Sequence, residues 1–398
     1  MRVLHITPYF APAYCYGGPP RSILSLCHGL QQIGVESAVL STSANGDREL
    51  SAQITREQQF EGIRVRYTPR TFPKRFFAVS NLAGSFDEQK SGCDLVHIHG
   101  CWNYLNWWCM RECRRHRIPY LISPRGMLDT ASLRRSHIKK QLACLVGEKK
   151  NLSGARAFCV STAEEQSRLQ LLGIKQPITV IANPLDISAF SQLPNRDAER
   201  NRLGISADET VVLYVGRLHP QKGVELLGEA MREIRRRGTR SRLLIAGSGN
   251  ASYVDSLQGS FQDLVDDGTM IFAGQLNGNQ RLAAFAAADV FAIASECESF
   301  GMSIAEAMAA GLPVAVSEEC PWPEIETRNA GFRVKRSASA FADAISRLCS
   351  DRELRTAMGK NGRRLVTKLS PRSVASSMCG LYKQCLDSTS NASIARAA

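Results

Sequence analysis

Two cations and two carboxylates in the second half of the chain have the types and spacing to do chemistry. Gly216-Arg217-Leu-His-Pro-Gln-Lys222-Gly223 carries an arginine and a lysine on either side of a proline, so both can converge on one diphosphate. Further on, Glu298 and Glu306 flank Phe300-Gly301-Met302, where a glycine-containing turn leads into helical sequence. Free amides at a helix start attract anions, and carboxylates accept hydrogen bonds from vicinal hydroxyls. Gly216 and Gly247, the latter in Gly247-Ser248-Gly249, permit close backbone approach. Singly these features are ordinary: Gly-Ser-Gly is a turn, and a lone Arg or Lys is usually solvated. Together they equip a site to hold a phosphorylated, hydroxyl-rich ligand and to offset charge on a departing diphosphate.

Positioning these groups requires parallel strands, because open α/β sheets bind ligands at the carboxyl ends of their strands. The apolar runs alternate with helical patterns accordingly. VLHIT (3–7), VESAVLS, IRVRYTP, DLVHIHG (94–100), PYLISP (119–124), RAFCVS (156–161) and ITVIANP (178–184) form one series. TVVLYVG (210–216), RLLIAGSG (242–249), MIFAG (270–274), DVFAIAS (289–295), LPVAVS (312–317) and GFRV (331–334) form a second. Helices are predicted between them. They include 22–33, a basic helix over 136–152, one opened by a capping box at Ser161–Glu164, and others from about 224, over 252–265 and 278–287, and from about 303. Two such series predict an α/β protein of two doubly wound domains. The expected boundaries are 1–184 and 185–369, a helix over 370–387, and a flexible tail over 388–398. Val374, Met378, Leu381, Tyr382 and Cys385 share one face of that helix. The face must bury somewhere, which predicts a crossing back onto the first domain.

Bulk properties narrow the class. The net charge of +13 is uneven, with +11 over residues 1–185 and +2 over 186–398. The excess gathers at Arg111, Arg114, Arg115 and Arg117, and at Arg134, Arg135, Lys139, Lys140, Lys149 and Lys150. Such a field attracts anionic lipid, nucleic acid or a phosphorylated acceptor. Trp102, Trp107 and Trp108 lie beside it and are candidate headgroup anchors, with burial in the core as the competing reading. No apolar run approaches the roughly 18 residues of a membrane helix, and the opening MRVLHITPYF has the pattern of a strand and loop rather than a leader. The expectation is a cytoplasmic protein, peripheral at the inner face of the plasma membrane. The 13 scattered cysteines, without a C-x-x-C pair, are expected to be free thiols. His97, His99 and Cys101 lie on one strand face, but no second cluster completes a tetrahedral metal set. No metal or other cofactor is expected.

GRLHPQKG followed by ESFGMSIAEAMAAGLPV, with its E-x7-E spacing, resembles the family 4 retaining glycosyltransferases of GT-B fold. The resemblance continues more loosely through Gly17-Gly18, DLVHIHG, SPRGML (123–128) and VIANPLD (180–186). It implies two Rossmann-like domains facing across a cleft, and a nucleotide-sugar donor bound by the second. Arg217, Lys222 and the amides of Phe300, Gly301 and Met302 would hold the donor diphosphate. Glu306 would bind ribose, and Glu298 the transferred sugar. Gly17 and Gly18 would approach the phosphates, and the base would lie near Gly274, Gln275 and Leu276. Many members carry His where this chain has Arg125, which would bind a phosphate or orient its loop. His99 is the other candidate on the acceptor or sugar side.

The implied reaction is transfer of a hexosyl group from a GDP- or UDP-sugar to a glycan acceptor. We expect a lipid-linked intermediate of exopolysaccharide, capsule or O-antigen synthesis, with a soluble small acceptor or nucleotide-sugar epimerisation as alternatives. A phosphorylase would share the fold but use inorganic phosphate. A nicotinamide dehydrogenase would need G-x-G-x-x-G after a strand, which neither His5–Gly18 nor Gly247–Asn250 supplies. No aromatic-studded basic strand or helix-turn-helix supports nucleic acid as a partner.

Overall fold

Runs rich in Val, Ile and Leu become strands because a parallel sheet covered on both faces buries nearly every side chain. The computed structural model describes residues 1–51, 57–129, 132–133 and 137–394, without the side chains of 57, 137–139 and 388–394. Arg134, Arg135 and the side chain of Lys139 therefore lie outside the described residues. Two compact units result: Met1–Pro184 with the chain from Pro371 onward, and Leu185–Ser370.

The strands of the first unit are β1 (Arg2–Thr7), β2 (Glu36–Thr42), β3 (Ala44–Asn45), β4 (Arg48–Glu49), β5 (Glu57–Phe60), β6 (Ile63–Thr68), β7 (Leu95–His99), β8 (Tyr120–Ser123), β9 (Ala157–Val160) and β10 (Ile178–Val180). Eight of them form one sheet in the order β10-β9-β8-β7-β1-β2-β6-β5, and β3 and β4 form a separate ribbon. All pairs in the large sheet are parallel except β5 with β6, an edge hairpin that the sequence reading did not anticipate. The strand order reverses between β1 and β7, which makes their carboxyl ends the switch point of this unit.

The second unit carries β11 (Thr210–Val215), β12 (Ser241–Ala246), β13 (Met270–Gly274), β14 (Val290–Ile293), β15 (Val314–Ser317) and β16 (Gly331–Val334). They pair in parallel in the order β13-β12-β11-β14-β15-β16, with the switch point between β11 and β14. Every residue of β11 is buried. The helix Val224–Arg236 covers the sheet with Val224, Leu227, Ala230, Met231 and Ile234, all buried at helical spacing. Each large apolar side chain so covered contributes about 1.5–3 kcal/mol. Both units are thus Rossmann-like α/β layers.

The final helix, Pro371–Ile394, packs on the first unit. Val374, Ala375, Met378, Leu381, Tyr382 and Cys385 bury against Val3, Leu26, Leu30 and Leu95. This helix is assigned to Ile394, past the expected end at 387, and residues 395–398 of the expected tail lie outside the described residues.

Two other helical readings need correction. The basic helix expected over 136–152 is interrupted: His137–Ala143 passes through a π-helical turn, Cys144–Glu148, into Lys149–Ser153, with Gly147 at φ 118°. The capping box sits one residue later than predicted. Thr162 caps the helix Ala163–Leu171 by accepting from the Glu165 amide, and the Glu165 carboxylate reaches back to the Ser161 amide at 3.0 Å.

Candidate functional site

In the second unit the loops after β11 and β14 meet at the switch point. Lys222 stands in the short 3-10 turn Pro220–Lys222, held by the His219 cap, and Glu298 lies on the loop after β14. Lys222 Nζ and Glu298 Oε1 are 2.5 Å apart, with both side chains largely covered. Ser295 Oγ also donates to Glu298 Oε1 at 2.9 Å. One oxygen of Glu298 is thus engaged twice, which leaves Oε2 to accept from a ligand hydroxyl. The Glu296 amide donates to the Gln221 carbonyl at 2.8 Å, tying the two loops together through the backbone.

Arg217 is exposed, and its carbonyl accepts from Tyr214 Oη at 2.8 Å. This bond fixes the loop while the guanidinium projects outward without an ion pair among the described residues. Close approach explains the glycines beside it. A Cβ on Gly247 would lie 1.8 Å from the Gly216 carbonyl oxygen, so no side chain fits there. The Gly247 amide donates to Gly274 at 2.8 Å, and Ser248 Oγ to Gln275 Oε1 at 2.9 Å. Gly216, Gly247, Gly274, Gln275 and Leu276 therefore line up along the carboxyl ends of β11, β12 and β13.

Gly301, in the left-handed region at φ 81°, caps the helix Met302–Ala309 without a side-chain cap. Its first amides are therefore free to donate to an anion. The indole of Trp322 donates to the Phe300 carbonyl and holds that turn. Glu306 lies at the start of the second turn of the same helix and is buried, with Oε2 bonded to Arg281 from the neighbouring helix Gly278–Ala287. Sequence reasoning did not single out Arg281. Its signal was a lone cation at the ligand edge, and only the packing of the two helices gives that cation its partner.

At the switch point of the first unit, Gly17 at φ 87° precedes the helix Gly18–Gln32, which starts without a side-chain cap. His99 and Arg125 are in contact here. Arg125 donates to His99 Nδ1 at 3.1 Å, to Ser22 Oγ at 3.1 Å and to Asn183 Oδ1. His99 is 2 % exposed, and its Nε2 faces His5 Nδ1 at 3.0 Å. Both its ring nitrogens are engaged inside the protein, so it reaches a ligand only through Arg125.

Among the described residues, those that could hold a metal are His5, His97 and His99, whose ring nitrogens lie within 4.8 Å of one another. Cys101, grouped with His97 and His99 on sequence, is not in that set, and His5 takes its place. The hydrogen bonds give these imidazoles another account. His97 bonds Tyr382 Oη and Ser123 Oγ, each at 2.8 Å. Since Arg125 can only donate, His99 Nδ1 accepts and Nε2 carries the proton toward His5. Burial, with the Arg125 charge adding to it, holds all three histidines well below the usual imidazole range, His5 at about 3. They form a neutral cluster beneath the arginine, with His5 and His99 hydrogen-bonded and His97 packed against both rings.

Of the three candidate anchor tryptophans, two belong to the core. Trp102 donates to the Met127 carbonyl at 2.9 Å, and Trp108 packs edge-on against Phe86. Trp107 is half-buried and stacks on the exposed Tyr104. Exposed apolar residues lie at several places, among them Phe72 and Leu171, and three cluster on the interrupted basic helix: Leu142, Leu145 and Val146 are 56, 83 and 67 % exposed. All 13 cysteines are free.

Residues 195–365 match the family model described as glycosyl transferases group 1, and residues 17–184 the glycosyl transferase 4-like domain. A D-inositol 3-phosphate glycosyltransferase of Saccharomonospora viridis is 27 % identical over 89 % of this chain and 86 % of its own length. The corresponding protein of Kineococcus radiotolerans is 28 % identical over 76 % of this chain and 73 % of its own. Among solved structures, sucrose-phosphate synthase from Thermosynechococcus elongatus superposes with a TM-score of 0.79 at 22 % identity, covering 97 % of this chain and 99 % of that one. Anabaena HepE in complex with UDP-glucose gives 0.77 at 18 % identity over 96 % of this chain and all of that one.

Proposed function

We propose, for a chain that belongs to the GT4-type glycosyltransferases of GT-B fold, a retaining hexosyl transfer from a nucleotide-diphosphate sugar to a phosphate-linked lipid acceptor at an anionic membrane surface. The observation that carries the donor half is the meeting of Lys222 and Glu298 at the switch point of the second unit. Lys222, Arg217 and the amides around Gly301 offset charge on the departing nucleoside diphosphate, while Glu298 accepts from the transferred sugar and Glu306 from the ribose. Attack from the same face, with a donor phosphate oxygen taking the acceptor proton, retains configuration without an enzymic nucleophile. UDP and GDP sugars both suit these groups, and no resident metal is needed to offset the charge.

Lys222→Ala is expected to lower turnover by two or more orders of magnitude, since the lost charge acts in the transition state. Unchanged turnover with a panel of UDP- and GDP-hexoses would remove the assignment. Loss of wild-type activity in EDTA, restored by Mg²⁺ or Mn²⁺, would remove its metal-free part.

The acceptor half rests on the exposed Leu142, Leu145 and Val146 beside Lys149, Lys150 and the exposed Tyr104. Apolar side chains at a tip bordered by basic ones suit insertion at an anionic headgroup layer. No described helix is long and apolar enough to cross a membrane. Flotation with anionic and neutral liposomes tests this: equal, negligible binding to both counts against it. A soluble phosphorylated acceptor is the second reading. It is favoured by relatives whose names specify inositol 3-phosphate and by the likeness to a sucrose-phosphate synthase.

A further inference from the structure

Among the described residues, Arg125 is a cation without an ion pair, where the fold supplies one for comparable arginines. Arg70, Arg200 and Arg281 all have well-covered side chains, and each bonds a carboxylate: Glu49, Asp289 and Glu306 respectively. Arg125 bonds only neutral acceptors, the Ser22 hydroxyl, the Asn183 amide oxygen and the His99 imidazole. Its Nε–H is buried and has no acceptor in the structure. Glu165 lies near enough for its charge to act on Arg125 but makes no ion pair with it: Oε1 accepts from the Gly126 amide at 2.8 Å, and Oε2 from the Ser161 amide and hydroxyl. The three histidines beneath are neutral and cannot balance the charge.

Arg125 is half-buried, with its Nε–H fully covered, so part of the cost of taking a cation out of water is left without a compensating charge. The backbone adds strain, since Arg125 sits at φ 58°, in the left-handed region that side chains other than Gly, Asn and Asp rarely occupy. Such a cost is borne where a ligand recovers it. The residue follows β8, beside the switch point formed by β7 and β1, where ligands of such sheets bind.

We propose that Arg125 is the receptor for an oxyanion carried by the acceptor, a phosphate group, with its unused donors forming part of the contact. Guanidinium presents several donors in one plane and matches phosphate better than an ammonium does. The acceptor is the natural source, because the second unit already carries Arg217 and Lys222 for the donor diphosphate. This inference rests on the glycosyl-transfer reading and serves either acceptor, since the phosphate of a soluble sugar phosphate and that of a lipid phosphate share this chemistry.

The test uses the full chain with UDP or GDP saturating, whichever stabilises it against heat, so that the donor cations are occupied. Inorganic phosphate and glucose 6-phosphate are then titrated, with glucose as the uncharged control, and thermal stabilisation is read. Wild type should respond to both phosphates and not to glucose; Arg125→Gln should need at least tenfold more phosphate and Arg125→Lys several-fold more, with nucleotide affinity unchanged in both. If Arg125→Gln fails to fold, Arg125→Lys decides by the same criterion. Vesicles containing a polyprenyl phosphate form the second arm, and the arm that depends on Arg125 names the source. Phosphate responses equal in wild type and variants, in both arms, overturn the proposal while leaving donor binding intact. Failure of wild type to bind either nucleotide overturns the underlying reading instead.

Discussion

Beneath Arg125, three buried imidazoles titrate far from their usual range, and the sign of that effect is testable. His5 has a folded-state pKa of about 3 against 6.5 for a free imidazole, because charging it underground means stripping it of water next to a guanidinium. The folded protein therefore binds fewer protons than the unfolded chain between those values. Its contribution to stability is complete above about pH 7 and is lost as pH falls through that window, at about 1.4 kcal/mol per pH unit for each such histidine. Urea unfolding at about pH 7 and about pH 5 should show His5→Gln with a flatter dependence than wild type by that amount. Identical slopes would mean that His5 is hydrated in the native state. The cation pair, Glu298 and Glu306 were legible because motif and spacing are local properties. His5 was not, because it faces His97 only through the register of β1 on β7, across more than ninety residues of chain.

The helix Pro371–Ile394 shows how an element can be readable in pattern and yet take its energy from a distant partner. Its apolar face was visible as a periodicity, but the closeness of its seat depends on Gly29. A Cβ there would lie 2.1 Å from the Pro371 carbonyl oxygen, a clash with backbone that no rotamer relieves. Gly29→Ala is expected to destabilise the protein by about 1–3 kcal/mol through overpacking, measured as a lower urea midpoint with unchanged m-value. Tyr382→Phe removes the hydroxyl partner of buried His97 and should cost about 1–3 kcal/mol. If either substitution proves neutral, the helix docks more loosely than the structure shows. The interrupted helix over 137–153 is the converse case: its charge was plain on sequence, but its break at Gly147 and the exposure of Leu145 and Val146 were not. A glycine in a helical run is only a weak breaker, and which way the apolar residues face is decided by what the rest of the fold covers.

Across the whole protein the charge is divided, +11 in the first 185 residues and +2 in the remainder, and the exposed apolar tip lies on the basic side. If attachment to an anionic surface combines both, two perturbations should separate them. Salt shortens the screening length from about 10 Å at 0.1 M to about 3 Å at 1 M, and should weaken flotation of wild type on anionic liposomes without abolishing it. Leu145→Asp should weaken it at low salt and abolish it at high salt, with hydrolysis of the nucleotide sugar in solution unchanged. Salt-insensitive flotation would show that the basic surface has no part in it. The amino-acid order alone determined the alternation of strands and helices, the division near Pro184 and the donor-site motif, since each depends on neighbours within a few turns. The tertiary structure decided that Trp102 and Trp108 serve the core, that Glu306 is held by Arg281, and that Arg125 stands without an ion pair among the described residues. Those outcomes depend on which strands and helices lie side by side, and parallel crossovers bring together residues that no local pattern connects.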